Sequence, residues 1–235
     1  MKATVDTAEV TAHTDSDKVY LAGHVNSEYS VAGHVDFGAI FPVDDTEIRA
    51  KLGSSGHIAV SMCMGGYTVG QPAILDYVHP TQYDIKAPNE DAVSFSATLV
   101  TGTTGNQNAF KAAKTMAGLV LFRSTALSTS TSAAASQDNG SVSTAATTRG
   151  YVAHLHAFGG TIGSTKVVSV QVQHSSAGVS WANLTSLTDI NLTGSYLGAS
   201  RAFSTSATVK RYVRGACVTQ GSTGEPSVLL TFARR

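Results

Sequence analysis

The sequence predicts a mainly β protein made of two β-sheet domains. Several segments alternate apolar and polar residues with the two-residue period of a strand that is buried on one face. Turn residues, above all glycine, separate these segments, and only one segment has a clear helical pattern. A chain of 235 residues is long enough for one large β-domain or for two domains that each bury their own core.

Two strands of the first half follow directly from alternation. In Val93–Leu99 the apolar residues lie on one face, and serine and threonine lie on the other. Ile58–Met64 repeats the pattern and ends at a Gly65-Gly66 turn signal. Both segments are therefore predicted to be half-buried strands.

A third strand is predicted to be bent. Ala73–Val78 and Tyr83–Ile85 have strand character, and His79-Pro80 lies between them. Proline has no N–H to donate to a central ladder, so we expect one strand that bends or is interrupted at this dipeptide.

One short helix is predicted before the Ile58 strand. Asp44 and Asp45 offer a side-chain cap, Ile48 and Leu52 share a face four residues apart, and Gly53 can end the helix in the left-handed conformation. Residues 108–116 are compatible with a second helix or, equally, with a long mobile loop.

The second half reads as β structure throughout. Alternating segments with glycine-containing turns between them predict five or more antiparallel strands and a sandwich of about 100 residues, immunoglobulin-like or jelly-roll-like. The apolar residues that define these strands are Ala153, Leu155, Val168, Val170, Val172, Val209, Val213, Cys217, Val228, Leu230 and Phe232.

The domain boundary is predicted at residues 125 and 126, which gives domains 1–125 and 126–235. Apolar periodicity stops there, and a stretch rich in serine and threonine, residues 124–150, reads as a junction followed by an edge strand. Charge changes sign at the same place. Residues 1–123 hold 8 basic and 13 acidic side chains, net −5, whereas residues 124–235 hold 8 basic and 3 acidic ones, net +5.

The sequence gives no support for catalysis, a metal or a cofactor. It lacks the short motifs of serine hydrolases, zinc proteases, redox dithiols and phosphate-binding loops. His154 and His156 share one strand face, but zinc needs further ligands that nothing nearby supplies. We therefore expect a non-enzymatic protein without cofactors, in which these histidines form an exposed or interface pair.

Other sequence features bear on location. Residues 1–18 contain no apolar core typical of a signal peptide, and no apolar run approaches the length of a membrane span, so we expect synthesis and retention in the cytoplasm. Cys63 and Cys217, one in each half, are expected to be reduced thiols.

Trp181 and Tyr212 are the candidate surface-binding residues. Trp181, the only tryptophan, lies in a predicted hairpin, where its ring either stacks on a sugar or covers the sandwich core. Tyr212 lies among Lys210, Arg211 and Arg214, a weak nucleic-acid footprint.

The chain resembles the major tail proteins, or tail tube proteins, of long-tailed, non-contractile phages. In the second half the resemblance covers Val168–Leu184, Ala207–Arg214 and Leu230–Arg235. In the first half it rests on the order and spacing of Val19–Phe37, Asp45–Leu52, Ile58–Met64, Gln71–Ile85 and Val93–Leu99. Residues 102–116 depart from the resemblance, because this connection is longer than the family pattern leads us to expect.

This resemblance implies a structural protein of the virion tail, made in the host cytoplasm. It implies a tube domain, a β-sandwich or barrel with one short helix, that forms hexameric rings, and a second β-sandwich that faces outward. Stacked rings would form the tube through which double-stranded DNA is ejected without specific binding. The implied partners are further copies of the chain and the tape measure, tail terminator and distal tail proteins. Residues 1–18 and 102–116 are expected to become ordered on stacking.

An acidic or neutral lumen would repel DNA and let it slide. The candidate lumen or inter-ring acids are Asp36, Asp76, Asp84, Glu90 and Asp91. The alternative function is a carbohydrate-binding adhesin or virion decoration protein that binds cell-surface glycans through its second sandwich.

Overall fold

The computed structural model is mainly β, with antiparallel sheets and almost no helix, as the alternation predicts. It describes residues 2–9, 20–34, 48–54, 56–87, 93–101, 116–124, 132–133, 137–138, 150–158, 167–184, 198–220 and 227–234. Two sheets, called sheet A and sheet B below, contain all the strands of these residues.

Sheet A has nine strands. Along the sheet their order is β1-β2-β5-β4-β6-β14-β9-β12, and β3 pairs with β4 beside this path. The bounds are β1 Lys2–Glu9, β2 Tyr20–His34, β3 Ile58–Cys63, β4 Pro72–Lys86, β5 Ser94–Thr101, β6 Met116–Ser124, β9 Tyr151–Phe158, β12 Gly198–Ser204 and β14 Ser227–Arg234.

Sheet B has five strands. Its order is β11-β10-β13-β7, and β8 also pairs with β13. The bounds are β7 Ser132–Ala133, β8 Gln137–Asp138, β10 Val167–Ser175, β11 Ala182–Asn183 and β13 Tyr212–Gln220. The two short strands β7 and β8 lie in the serine- and threonine-rich segment, where an edge strand is predicted.

The bent strand of the first half is confirmed. β4 runs through His79 and Pro80 without a break, but its register against β5 shifts between Pro80 and Gln82. The shift accommodates the proline that cannot donate to the ladder. The strands predicted from alternation at residues 58–64 and 93–99 are likewise present as β3 and β5.

The predicted helix is largely absent from the described residues. Only a 3-10 turn, Arg49–Lys51, follows Ile48. Leu52 is already extended and 39% exposed, so it does not share the buried face of Ile48 as predicted. Gly53 does adopt a positive φ of 72°. The proposed caps, Asp44 and Asp45, and the loop at residues 102–115 lie outside the described residues.

The N-terminal arm is also different from the expectation. Residues 2–9 are paired with β2 in the isolated chain as β1, with a register shift between Val5 and Thr7. This part of the arm does not need a stacking neighbour to gain a strand partner.

The largest core lies between the two sheets. Val170, Val172 and Val213 of sheet B pack against Leu230 and Phe232 of β14. Leu121 and Phe122 of β6 belong to the same core, although they precede the predicted boundary. Strands from both sides of residues 125 and 126 are thus neighbours in sheet A, and the division into two folding domains stays a prediction.

Sheet A curls into a partial barrel. β3 lies close to β9 and β12, at the far end of the β3-β4-β6-β14-β9-β12 series. Inside the curl, Leu75, Val120, Val152 and Leu229 form a second apolar core. A third core, around Tyr29, Val78 and Leu99, lies against β3 and the Ile48 turn.

The methyl group that Gly215→Ala adds to β13 tests how tightly sheet B packs on β6 and β14. A Cβ atom added at Gly215 would come within 2.5 Å of Phe122 Cβ and 3.1 Å of a Leu230 methyl carbon. We expect Gly215→Ala to lower the free energy of unfolding by about 1–3 kcal/mol in a denaturant titration. Gly53→Ala, with open space around its Cβ, is the control and should cost about 1 kcal/mol, from its positive φ alone. Equal stability of the native protein and the Gly215 variant would contradict the shared core.

Candidate functional site

A three-stranded ribbon extends past the part of β4 that pairs with β3 and β6. It consists of residues 81–86 of β4, 94–98 of β5 and 30–34 of β2. Among the described strands, residues 81–86 pair only with β5, because β3 and β6 pair with β4 no further than Val78. No described strand pairs with the other edge of this part of β4.

The two faces of this β4–β5–β2 ribbon differ in chemistry. One face carries Tyr83, Ile85 and Phe95, and it continues into the third core. Ile85 at its tip is 46% exposed. The opposite face is mainly polar. Its members are Ser30, Ala32, Gln82, Asp84, Lys86, Ser94, Ser96 and Thr98.

The structure separates the predicted acidic residues. Asp84 is exposed on the polar ribbon face and accepts a hydrogen bond from Gln82 Nε2 at 2.7 Å. Asp36, Glu90 and Asp91 lie outside the described residues.

Asp76 is not a surface acid, contrary to the expectation. It is 3% exposed, and its carboxylate accepts hydrogen bonds from Tyr29 Oη at 2.9 Å, Thr101 Oγ1 at 3.0 Å and the backbone N–H of Tyr77 at 2.7 Å. These bonds tie β2, β4 and β5 together. The carboxylate therefore has a structural function in the chain.

His154 and His156 form part of a buried polar cluster in the partial barrel. Ser61 Oγ lies 2.8 Å from His156 Nε2, 3.3 Å from His154 Nδ1 and 2.7 Å from Thr231 Oγ1. His154 Nδ1 is also 3.2 Å from the carbonyl oxygen of Val60. The cluster joins β3 to β9 and β14 across the curl.

The prediction of an exposed histidine pair is wrong, because β9 is covered on both faces. His154 is 0% exposed, and its Nε2 has no hydrogen-bond partner among the described residues. Burial lowers the pKa of His154 well below its ordinary value, with further lowering by the charges of His156 and Arg201. Burial also lowers the pKa of His156 to about 4. Both imidazoles are therefore neutral at pH 7.

Arg201 of β12 is the cross-strand partner of His154 on β9. Its guanidinium lies 4.3 Å from the ring centroid of Tyr77 and 4.7 Å from that of Phe203. Burial lowers its pKa, and Tyr77 and Asp76 act in the opposite direction. An arginine keeps its positive charge in proteins, so the charge of Arg201 would repel a protonated His154. No group of three or more His, Cys, Asp or Glu within the described part of the chain could hold a metal ion.

Trp181 and Tyr212 lie on the outer face of sheet B. Asn183, Gln173 and Arg214 stand in register across β11, β10 and β13, and Tyr212 is two residues from Arg214 on the same face. Trp181 is half-buried, and the guanidinium of Arg214 lies 4.2 Å from its ring centroid. Leu184, not Trp181, belongs to the core between the sheets, so the expectation that Trp181 covers that core is wrong.

Of the two cysteines, only Cys63 has a described side chain. It is a free thiol, and burial raises its pKa, whereas the side chain of Cys217 lies outside the described residues. No helix within the described ranges is long and apolar enough to cross a membrane.

No protein-family model, curated protein or solved structure matches the chain.

The two candidate acids within the described residues predict effects of different size on stability. Asp76→Asn removes the charge that accepts from Tyr29 and Thr101, so we expect a loss of about 1–3 kcal/mol in the free energy of unfolding. Asp84→Asn, the matched exposed change, should alter it by less than about 0.5 kcal/mol. Urea titrations of both variants measure the difference. Equal midpoints would show that the Asp76 network contributes no stability.

The histidine cluster predicts a loss of stability in acid. The pKa of His156 is about 4 in the folded chain and about 6.5 in the unfolded chain. The contribution of neutral His156 to the free energy of unfolding is fully present above pH 6.5. It is lost as the pH falls towards 4, because between these pH values only the unfolded chain takes up the proton. The loss is on the order of 3 kcal/mol at its limit, and His154 acts in the same direction.

This pH dependence is measured by urea titrations at pH 7.0, 5.5 and 4.5. His156→Gln, which keeps an acceptor for Ser61, should flatten the dependence. His174→Gln is the control, because burial and Lys210 lower the pKa of this partly exposed histidine less strongly. An unchanged slope in the His156 variant would contradict the assignment.

Proposed function

We propose that this chain is a virion structural protein that assembles into rings and that the rings stack into the tail tube through which DNA is ejected. Hexameric rings, placement in the virion tail and contacts with other tail proteins belong to the same proposal. The observation that carries it is the β4–β5–β2 ribbon, one edge of which pairs with no described strand. The resemblance of the sequence to tail tube proteins agrees with it.

An open strand edge favours association with another chain. Its unpaired N–H and C=O groups can accept a further strand, and proteins usually shorten, charge or cover such edges. Here residues 81–86 extend past β3, and the exposed Ile85 lies on the apolar face of the same segment. In a closed ring every subunit would cover the edge of its neighbour, so no edge would remain exposed.

The polar face of the ribbon has the chemistry expected of a DNA conduit. Its charged members in the described residues are Asp84 and Lys86, a net charge of zero, and the others are uncharged. A wall of this kind offers no cationic track for phosphate groups, so DNA would not be held by counterion release. We place this face towards the lumen and sheet B towards the outside.

Electron microscopy of the concentrated protein tests the assembly. We expect stacked rings or hollow rods, and we expect Ile85→Lys to abolish them, because the substitution puts a charge into an apolar contact between subunits. Val179→Lys is the matched control, since Val179 is 80% exposed in the turn before β11 of sheet B. It should assemble normally.

The variants must first show native unfolding midpoints, which exposed positions should preserve. Rods formed equally well by the Ile85 variant would contradict the ribbon as the contact. A native protein that stays monomeric at every concentration tested, with or without preformed tail tips as seeds, would overturn the tube itself.

A further inference from the structure

The outer face of sheet B carries two aromatic rings, each paired with a guanidinium group. Arg214 lies over Trp181 at 4.2 Å, and Arg211 lies over Tyr212 at 5.1 Å from the ring centroid. A Cβ atom added at Gly178 would lie 3.8 Å from the ring of Tyr212, so the Gly178 turn and this ring are near neighbours. We call Trp181, Asn183, Gln173, Arg214 and Tyr212 the outer platform.

Hydrogen bonds across the platform fix which atoms point outward. Arg214 Nε donates to Gln173 Oε1 at 2.8 Å, so the Gln173 amide must present its oxygen to β13. Its Nε2 then donates to Asn183 Oδ1 at 3.0 Å. Because arginine can only donate hydrogen bonds, Arg214 sets the donor and acceptor directions along this ladder of Arg214, Gln173 and Asn183.

The ladder leaves donors without partners, and its two amide oxygens are both in use. Within the described residues, the terminal nitrogens of Arg214, the Nδ2 of Asn183 and the indole N–H of Trp181 have no hydrogen-bond partner. β10, β11 and β13 contain no Asp or Glu, and the one acid within the described strands of sheet B is Asp138 on β8, in register with Tyr212 at the margin of the platform. The platform is therefore suited to a ligand rich in acceptors and negative charge.

We propose that the outer platform binds carboxylated sugar units of an acidic polysaccharide. A sugar ring is flat enough to stack on the face of Trp181 or Tyr212 that the guanidinium does not cover, and a carboxylate accepts two parallel hydrogen bonds from a guanidinium. The Asn183 amide would donate to a ring hydroxyl. Two arginines are a thin footprint for nucleic acid, which is bound mainly through many phosphate contacts. The inference does not depend on tube assembly.

The test is affinity electrophoresis of the full chain in gels containing polygalacturonate, with neutral dextran and a single-stranded DNA oligonucleotide as comparison ligands. We expect retardation by polygalacturonate alone, weakened by added salt. Trp181→Ala and Arg214→Gln should each weaken binding about tenfold. Asn183→Ala, at an exposed position with no part in the core, should weaken it about threefold.

The chain contains a matched control pair. Tyr67 is 52% exposed, and Arg123 lies 5.4 Å from its ring centroid, on sheet A rather than sheet B. Tyr67→Ala and Arg123→Gln should leave binding unchanged. The proposal is overturned if polygalacturonate causes no retardation, if the control variants weaken binding equally, or if dextran or DNA binds as tightly. If Trp181→Ala does not fold, as judged by circular dichroism, Arg214→Gln and Asn183→Ala decide the question.

Discussion

The burial of β14 on both faces is the constraint on which the rest of the structure depends. One face contributes Val228, Leu230 and Phe232 to the core between the sheets, and the other contributes Leu229 and Ala233 to the core inside the curl. A strand that is covered twice must have neighbours on both edges and layers on both sides. β6 and β9 supply the edges, sheet B supplies one layer, and β3 with β4 closes over the other.

This double burial explains where the sequence was informative and where it was not. Alternation identifies a strand with one solvent face, and it located β3, β5 and β10 correctly. β9 also alternates, but His154 and His156 face a second interior and not solvent. Nothing in the local sequence indicates this, because the covering strand β3 lies more than 90 residues away. The partner that satisfies a polar side chain can be known only from the topology.

Asp76 failed as a surface candidate for the same reason. Asp76 lies on β4 between apolar residues. A count of charges does not distinguish a buried carboxylate from an exposed one. In the structure, Tyr29 and Thr101 from two other strands donate hydrogen bonds to this carboxylate. The helix before β3 was overestimated for a different reason. Helical spacing of Ile48 and Leu52 is a weak signal over so few residues, and Leu52 leaves the turn in an extended conformation. In contrast, the register shift beside Pro80 could be predicted from the sequence, because a proline lacks the N–H group that a central strand position needs, whatever the rest of the fold.

The same topology separates the two surfaces to which we assign functions. The ribbon lies beyond Val78 of β4, and the outer platform lies on the face of sheet B that points away from β14. The ribbon contributes to the third core, whereas sheet B contributes to the largest core, and the two cores share no residue. A change at either surface therefore leaves the contacts of the other intact, since separate sites with no shared partners act additively. The two proposals, assembly through the ribbon and recognition of an acidic polysaccharide at the platform, therefore rest on different residues and can be tested separately.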